Sequence, residues 1–158
     1  MASKEQIIAG LQMTLENGKR TTALFRDGEW EAKRASGWTP KETYAHLAAV
    51  AAMVPAFGQS LLGAAEDVDV AQGIDIHMMN AQSIAPSASM SPGDIMKGFE
   101  ESYGKLIEFV KALPDDQMSL KRRFFSDSVP VSDILANSVM LHGLHHVYEA
   151  WSRVDAPF

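Results

Sequence analysis

The sequence predicts an all-α fold of four long helices, with one short helix inside a long connection. Apolar residues recur with the 3.6-residue helical period, and Ser or Thr with a following Pro marks helix starts. Alternating strand patterns extend over only a few residues around Phe124 and Phe125. The 158 residues are 46% hydrophobic and 22% charged, so we expect one soluble globular domain over residues 1–158.

The first helix is predicted to begin after Ser3, because Ser3 and Gln6 have the spacing of a capping box. Apolar residues then recur on one stripe as far as Phe25. We expect the Arg26-Asp27-Gly28 segment to end this helix.

The second helix has the clearest start signal in the chain. Thr39 is the predicted N-cap, Pro40 occupies the first helical position, and Glu42 is the capping-box partner. The helix is predicted to continue towards Phe57, and we expect Pro55 to bend it or to end it early.

The third helix is predicted to begin at Ser91 and Pro92 and to stop at Pro114. The connection before it, residues 64–90, is long for a compact domain, and Met78 and Met79 suggest a short helix within it. A long crossover allows consecutive helices to run parallel, so we expect the second and third helices to be parallel.

The fourth helix is predicted to open at Pro130 and Asp133 and to cover residues 131–153. It carries most of the histidines. His142 and His146 lie one turn apart on one face, because a helix turns about 100° per residue.

Composition excludes several classes of function. The net charge is −6, with 14 basic and 20 acidic residues, so no positive field is available for nucleic acid. There is no cysteine, which removes disulfides and thiol nucleophiles. No apolar run is expected to reach the roughly 18 residues of a membrane span. We therefore expect a cytoplasmic protein without nucleic-acid or membrane partners.

The histidines suggest a transition-metal site. His142 and His146 can converge on one ion, and His46 in the second helix is the candidate third ligand. Three protein nitrogens with an open position are typical of a catalytic metal centre. His145 falls to one side, which favours an outer contact or an interface over ligation, although ligation stays open. His77 is expected on the surface.

Nitrogen donors favour Zn or Ni and are also compatible with Fe, Mn or Cu. Two further residues are candidates for proton movement. Glu149 could orient a ligand imidazole, accept a proton, or be a solvated acid near the helix end. Tyr148 is the other candidate catalytic residue.

Four segments in this order resemble the DinB/YfiT-like metalloprotein superfamily: Trp38-Thr39-Pro40-Lys41-Glu42-x-x-x-His46-Leu47, then Met79-Asn80-Ala81-Gln82, then Ser91-Pro92, and finally His142-x-x-His145-His146. The resemblance implies a four-helix bundle with up-down-down-up topology. It also implies three metal ligands, His46, His142 and His146, with open positions for water or substrate, and a homodimer.

The chain departs from the family after the histidine pair. Members often read His-His-Arg-Gly-Gln, whereas this chain reads His145-His146-Val147-Tyr148-Glu149. The substrate or dimer contact made there is therefore expected to differ. Characterised members include bacillithiol S-transferases, mycothiol-dependent isomerases and metal-dependent hydrolases, so a low-molecular-weight thiol is a candidate cofactor.

Three functional hypotheses follow. The first is a metal-dependent thiol S-transferase or hydrolase acting on a small molecule, in which the ion lowers the pKa of a bound water or thiol. The second is a non-catalytic metal-binding or stress-associated module, whose structural site would be closed by a fourth donor such as His145 or Glu149. The third is a metal-free, pH-sensitive histidine core or dimer contact.

Overall fold

A computed structural model describes residues 1–152, and every structural statement below concerns that part of the chain. Four long helical segments form a bundle, with one small antiparallel sheet. The elements in chain order are α1 Lys4–Thr22, α2 Pro40–Gly63, α3 Ile76–Ile84, α4 Pro92–Ala112, α5 Asp115–Met118, β1 Lys121–Phe124, β2 Asp127–Pro130, α6 Val131–Leu135 and α7 His142–Trp151. Ala136–Leu141 is π-helical and joins α6 to α7.

Helices α2 and α4 run parallel, as the long crossover predicted. Tyr44 near the start of α2 packs edge-to-face on Phe99 near the start of α4, with ring centroids 5.2 Å apart. Near the far end, the Phe109 ring lies against Gly58. Contacts that advance together along both helices require the same direction, so the residues between them cross the bundle.

Helices α1 and α7 are also parallel. Gly10 of α1 lies against Met140, just before α7, and one turn further on Thr14 lies against Gly143. Helix α1 is antiparallel to α4, because Gly18 near its end packs on Phe99 near the start of α4. The predicted up-down-down-up topology is therefore confirmed.

The predicted helix starts are confirmed. Both halves of the capping box are formed at Ser3 and at Thr39, and the Ser91 side chain accepts a hydrogen bond from the Asp94 backbone N–H. Helix α1 ends at Thr22, earlier than predicted. Phe25 lies beyond it and packs edge-to-face on Trp30. The predicted apolar stripe therefore includes a residue of the turn that follows the helix.

Of the two outcomes predicted for Pro55, a bend or an early end of the second helix, the early end was wrong. Helix α2 continues to Gly63. Proline removes one backbone hydrogen bond and crowds the preceding turn. Tertiary burial outweighs this cost, since most helical stability in proteins comes from packing. The buried residues of α2 are Pro40, Thr43, Tyr44, Ala45, His46, Leu47, Ala51, Val54, Gly58 and Leu61.

Helix α2 also corrects the expectation about membrane-length segments. It is long and apolar enough to cross a membrane, with a mean hydropathy of 1.4 over its best 18-residue stretch. One such helix is weak support for a span, because core helices have the same composition. Here α2 packs against α4, α7 and α3, which is the position of a core helix.

The β1–β2 hairpin was not predicted. Its turn residues, Phe125 and Ser126, have positive φ angles of 50° and 72°. The Asp69 carboxylate, from the crossover, accepts hydrogen bonds from both backbone N–H groups at 3.2 and 2.8 Å. Arg122 of β1 donates to the Leu61 carbonyl oxygen at 2.7 Å, at the carboxyl end of α2. These partners are more than 50 residues apart in sequence, so no local sequence pattern predicts the contacts.

The predicted fourth helix is one helical segment of three parts, α6, the π-helical turn and α7. Pro130 occupies the N-cap, as expected. Asp133 lies in the first turn and accepts a hydrogen bond from the Ala2 backbone N–H at 2.7 Å. Helix α7 ends at Trp151, and the predicted end, Arg153, lies outside the described residues.

Candidate metal centre

Three imidazoles from two helices converge between α2 and α7. One nitrogen from each of His46, His142 and His146 lies within 4.8 Å of the other two. The shortest separation joins His46 Nε2 and His142 Nε2, at 3.0 Å. His46 is 3% exposed, and the other two rings are half-buried. The structure thus brings together the three residues singled out from the sequence.

Two features place the histidines of α7. The π-helical turn ends immediately before His142, and the Asn137 side chain within it donates to the Asp133 carbonyl oxygen at 2.9 Å. Gly143 permits close packing, because a Cβ there would lie 2.5 Å from Tyr103 Oη and 2.9 Å from Thr14 Cγ2. A larger residue would push α7 away from α1 and α4.

The orientation of His46 is set by a serine of α3. His46 Nδ1 lies 2.8 Å from Ser83 Oγ, and Ser83 Oγ donates to the Asn80 carbonyl oxygen at 2.7 Å. Because the hydroxyl hydrogen is used on Asn80, the serine oxygen accepts the hydrogen from His46 Nδ1. The lone pair of His46 Nε2 then faces the other two histidines.

His146 is oriented by a carboxylate. His146 Nδ1 lies 2.8 Å from Glu149 Oε2, and the Glu149 side chain is 18% exposed. This is the carboxylate–histidine pair that commonly supports a metal-ligating imidazole. Of the three roles considered for Glu149, orientation of an imidazole has a contact in the structure, and the description as a solvated acid was wrong.

His142 has no such support. Its Nδ1 atom is buried and has no hydrogen-bond partner among the described residues. Only the group that contacts Nε2 therefore determines the tautomer of this ring.

Burial and mutual repulsion keep these histidines neutral. Desolvation, followed by the charge of nearby His146, lowers the pKa of His46 to about 4. Desolvation and the neighbouring histidines lower the pKa of His142 to about 3. Desolvation also lowers the pKa of His146, although Glu149 opposes the shift. Neutral imidazoles keep the lone pairs that a metal needs.

The donor set fits a transition-metal ion. At metal–nitrogen distances of about 2.0–2.1 Å, neighbouring ligand nitrogens lie about 2.8–3.0 Å apart at right angles and about 3.3–3.4 Å apart at tetrahedral angles. The His46–His142 separation of 3.0 Å falls between these two cases. Among the described residues, this cluster of candidate ligands consists of three histidines, without a fourth His, Cys, Asp or Glu. An ion held by these three nitrogens would have coordination positions left open.

The other sequence candidates lie around this cluster. His145 is exposed, and its ring centroid lies 5.2 Å from that of His146. It forms a second potential ligand group with His146 and Glu149, separate from the buried three. Tyr148 is 56% exposed, with no contact to the three rings described. His77 is exposed on α3, as expected.

Sequence reasoning missed two residues of the site. Trp38 stacks on His146 with ring centroids 5.7 Å apart and an interplanar angle of 16°, and it meets His46 edge-on at 5.0 Å. Trp38 had been noted only as part of a motif. Ser83 had no signal at all, because it lies 37 positions from the histidine it contacts.

No family model matches the chain, and no curated protein does. Two solved structures do match. YfiT from Bacillus subtilis, described as a probable metal-dependent hydrolase with an unusual four-helix bundle topology, has a TM-score of 0.73 and 21% identity, over 95% of this chain and 86% of YfiT. A mutant of the mycothiol-dependent maleylpyruvate isomerase also has a TM-score of 0.73, with 16% identity, over 99% of this chain and 65% of the isomerase. The chain therefore has the four-helix bundle fold of YfiT, as the resemblance in its motifs implied.

Proposed function

We propose that the protein is a metal-dependent enzyme whose divalent ion is held by His46, His142 and His146. The observation that carries this proposal is the convergence of three neutral imidazole nitrogens within 4.8 Å. Two of the rings have their remote nitrogens hydrogen-bonded, to Ser83 and to Glu149. Such outer contacts fix ring orientation at metal sites.

The ion would supply Lewis acidity, which lowers the pKa of a water or thiol that it binds. The protein's own groups would shape the reaction around it. Trp38 covers the rings of His46 and His146 on one side and excludes water there. Glu149 holds the proton at His146 Nδ1, so that the lone pair of Nε2 remains available to a metal ion.

The proposed reaction is hydrolysis or thiol transfer on a small molecule. The chain contains no cysteine, so a thiol used in the reaction would come from a low-molecular-weight cofactor. YfiT is described as a probable hydrolase and the isomerase as mycothiol-dependent. Those two descriptions support both reaction classes without choosing between them.

The alternative, a non-catalytic module with a structural metal, has less support. A structural site is closed by four protein ligands. His145 is exposed and Glu149 is engaged with His146, so neither residue is placed as a fourth ligand in the described structure. An open three-nitrogen set favours the enzyme.

The ion itself is proposed to be Zn or Ni. Neutral imidazole nitrogens suit both, and Fe, Mn and Cu remain compatible with the same donors. The homodimer and the cytoplasmic compartment stay predictions from the sequence.

Metal analysis of protein purified without an affinity tag tests the proposal. We expect about one ion per chain, as for a single three-histidine site, and tight binding of added zinc or nickel by the metal-free protein. His46→Ala should abolish this binding. His77→Ala is the matched control, because it removes an exposed histidine outside the cluster. Equal binding by wild type and His46→Ala would refute the site.

Activity then separates the two classes. The metal-loaded protein is assayed with ester and amide substrates, and with electrophiles in the presence of bacillithiol, mycothiol or glutathione. Thiol-dependent turnover that disappears in His46→Ala would assign a transferase, and thiol-independent turnover a hydrolase. A metal-loaded protein with four protein donors by X-ray absorption would instead support the structural module.

A further inference from the structure

We propose that Ser83 is a positioning residue of the metal centre. It holds His46 in the tautomer whose Nε2 lone pair faces His142, and it makes docking of the α3 segment depend on that tautomer. The inference rests on the proposed metal site, and it concerns a residue that no sequence motif indicated.

The direction of two hydrogen bonds carries the argument. A serine hydroxyl has one hydrogen, and a backbone carbonyl can only accept. Because Ser83 Oγ lies 2.7 Å from the Asn80 carbonyl oxygen, it donates there. The contact of 2.8 Å between Ser83 Oγ and His46 Nδ1 must then be donated by the ring. His46 therefore carries its hydrogen on Nδ1.

The three histidines differ in this respect. His146 donates to a carboxylate, whereas His142 Nδ1 has no partner among the described residues. Ser83 offers His46 a neutral acceptor, which selects the tautomer without adding charge beside a buried ring. His46 is 3% exposed, so water cannot readily replace the serine.

The same contact ties a weakly anchored helix to the site. Helix α3 has nine residues, and none of them is buried. Among the long helices of the bundle, it packs mainly on α2. A ligand on Nε2 favours the Nδ1–H tautomer, and that tautomer favours a docked α3. By thermodynamic linkage, a docked α3 must strengthen metal binding by the same factor.

The first experiment reads the tautomer without metal. Long-range ¹H–¹⁵N NMR of the metal-free protein at about pH 8, where histidine is neutral, distinguishes Nδ1–H from Nε2–H. We expect His46 to be Nδ1–H in the wild type and a mixture of both forms in Ser83→Ala. Ser83→Thr keeps the hydroxyl and should restore the wild-type signal.

The matched control is Ser89→Ala. Ser89 Oγ donates to the Pro86 carbonyl oxygen at 3.3 Å, in the same crossover, and has no hydrogen bond to a histidine among the described residues. This variant should leave the His46 tautomer unchanged. Circular dichroism and the NMR spectra report whether each variant is folded. If Ser83→Ala does not fold, the His46 tautomer in Ser83→Thr still tests the role of the hydroxyl.

The second experiment measures zinc affinity and the protection of α3. Loss of an outer contact typically lowers metal affinity about 10- to 100-fold, and we expect Ser83→Ala to lie at the lower end. In the wild type, zinc should slow amide hydrogen exchange in Ile76–Ile84. In Ser83→Ala this slowing should disappear, while exchange in α4 stays the same.

The outcomes are separable. Wild-type zinc affinity and an unchanged His46 tautomer in Ser83→Ala would overturn the role of Ser83 and leave the metal site standing. Failure of the wild type to bind zinc or nickel would refute the proposed function, and the tautomer measurement would still decide whether Ser83 orients His46.

Discussion

The two helical segments that supply the histidines are built differently. Helix α2, which carries His46, begins with a complete capping box and runs for 24 residues without interruption. The segment that carries His142 and His146 begins without a side-chain cap, forms five residues of α-helix, passes through a π-helical turn, and becomes α-helical again at His142.

The difference teaches where the geometry of the site is adjustable. His46 is fixed by the packing of a long core helix. The other two histidines depend on the wider π-helical turn for their rotation about the helix axis, and π-helical turns are frequent at functional sites. We infer that α2 is the fixed side of the centre and α7 the adjustable side. The following predictions test this contrast, starting with the largest effect.

The first prediction concerns acid and the metal-free protein. The pKa of His46 falls from 6.5 in the unfolded chain to about 4, and that of His142 to about 3. The folded state therefore binds fewer protons, and stability present above pH 6.5 is lost as the pH falls towards these values. Once the pH is below both folded-state values, the losses are on the order of 3 kcal/mol for His46 and 5 kcal/mol for His142.

Urea unfolding measured from about pH 7.5 to 3.5 checks this loss of stability, because that pH range spans the usual histidine pKa. His46→Gln and His142→Gln should each reduce the loss of stability on the acid side of the pH profile. The part of this loss caused by His142 should extend to lower pH. His77→Gln, at an exposed site, should follow the wild type. A profile that neither cluster variant changes would contradict the buried neutral histidines.

The second prediction adds one methyl group to the adjustable side. In Gly143→Ala the new Cβ would meet Tyr103 Oη at 2.5 Å, so α7 must move outwards. We expect a loss of about 1–3 kcal/mol in stability and weaker zinc binding. Gly104→Ala is the control, because nothing lies within 4 Å of its Cβ. It should be stabilising by about 0.5–1 kcal/mol, with zinc affinity unchanged.

The third prediction removes the proline from the fixed side. Pro55→Ala restores a backbone N–H in the interior of α2 and relieves crowding of the preceding turn. We expect a gain of about 1–2 kcal/mol, reduced from the full cost because proline also restricts the unfolded chain. Denaturant unfolding measures it. Lower stability, or a changed metal affinity, would show that Pro55 shapes the site through a bend in α2.

The fourth and smallest prediction concerns the π-helical turn. Asn137→Ala removes the side-chain donor to the Asp133 carbonyl oxygen. The expected cost is about 0.5–1.5 kcal/mol, the usual contribution of one hydrogen bond, with a small loss of zinc affinity through rotation of α7. Asn17→Ala, in α1, serves as a control for loss of an asparagine. An unchanged stability would mean that the turn does not depend on Asn137.

Helix starts could be predicted from the sequence because their causes are local. The capping boxes at Ser3 and Thr39 join residues three apart, and the i, i+4 spacing of His142 and His146 fixes their shared face. The Glu149 contact with His146 was foreseen as one of three roles for the same reason. His46 was a candidate third ligand from the histidine pattern, and the resemblance in motifs implied the same role.

The remainder depends on partners that are distant in sequence. The β hairpin is held by Asp69, and the tautomer of His46 by Ser83. No periodicity or short motif encodes either contact. Pro55 failed as a helix terminator because tertiary burial outweighed its local preference. The π-helical turn was missed because no residue type or spacing in Ala136–Leu141 marks a change from i→i+4 to i→i+5 hydrogen bonds.

Trp38 makes the centre observable without any label. Its indole ring lies within 6 Å of two of the three imidazoles, whereas Trp30 and Trp151 pack around Phe25. Copper or nickel arriving at the histidines should quench the emission of this one tryptophan. For the metal-binding protein proposed above, Trp38 would be an intrinsic fluorescent reporter of metal occupancy.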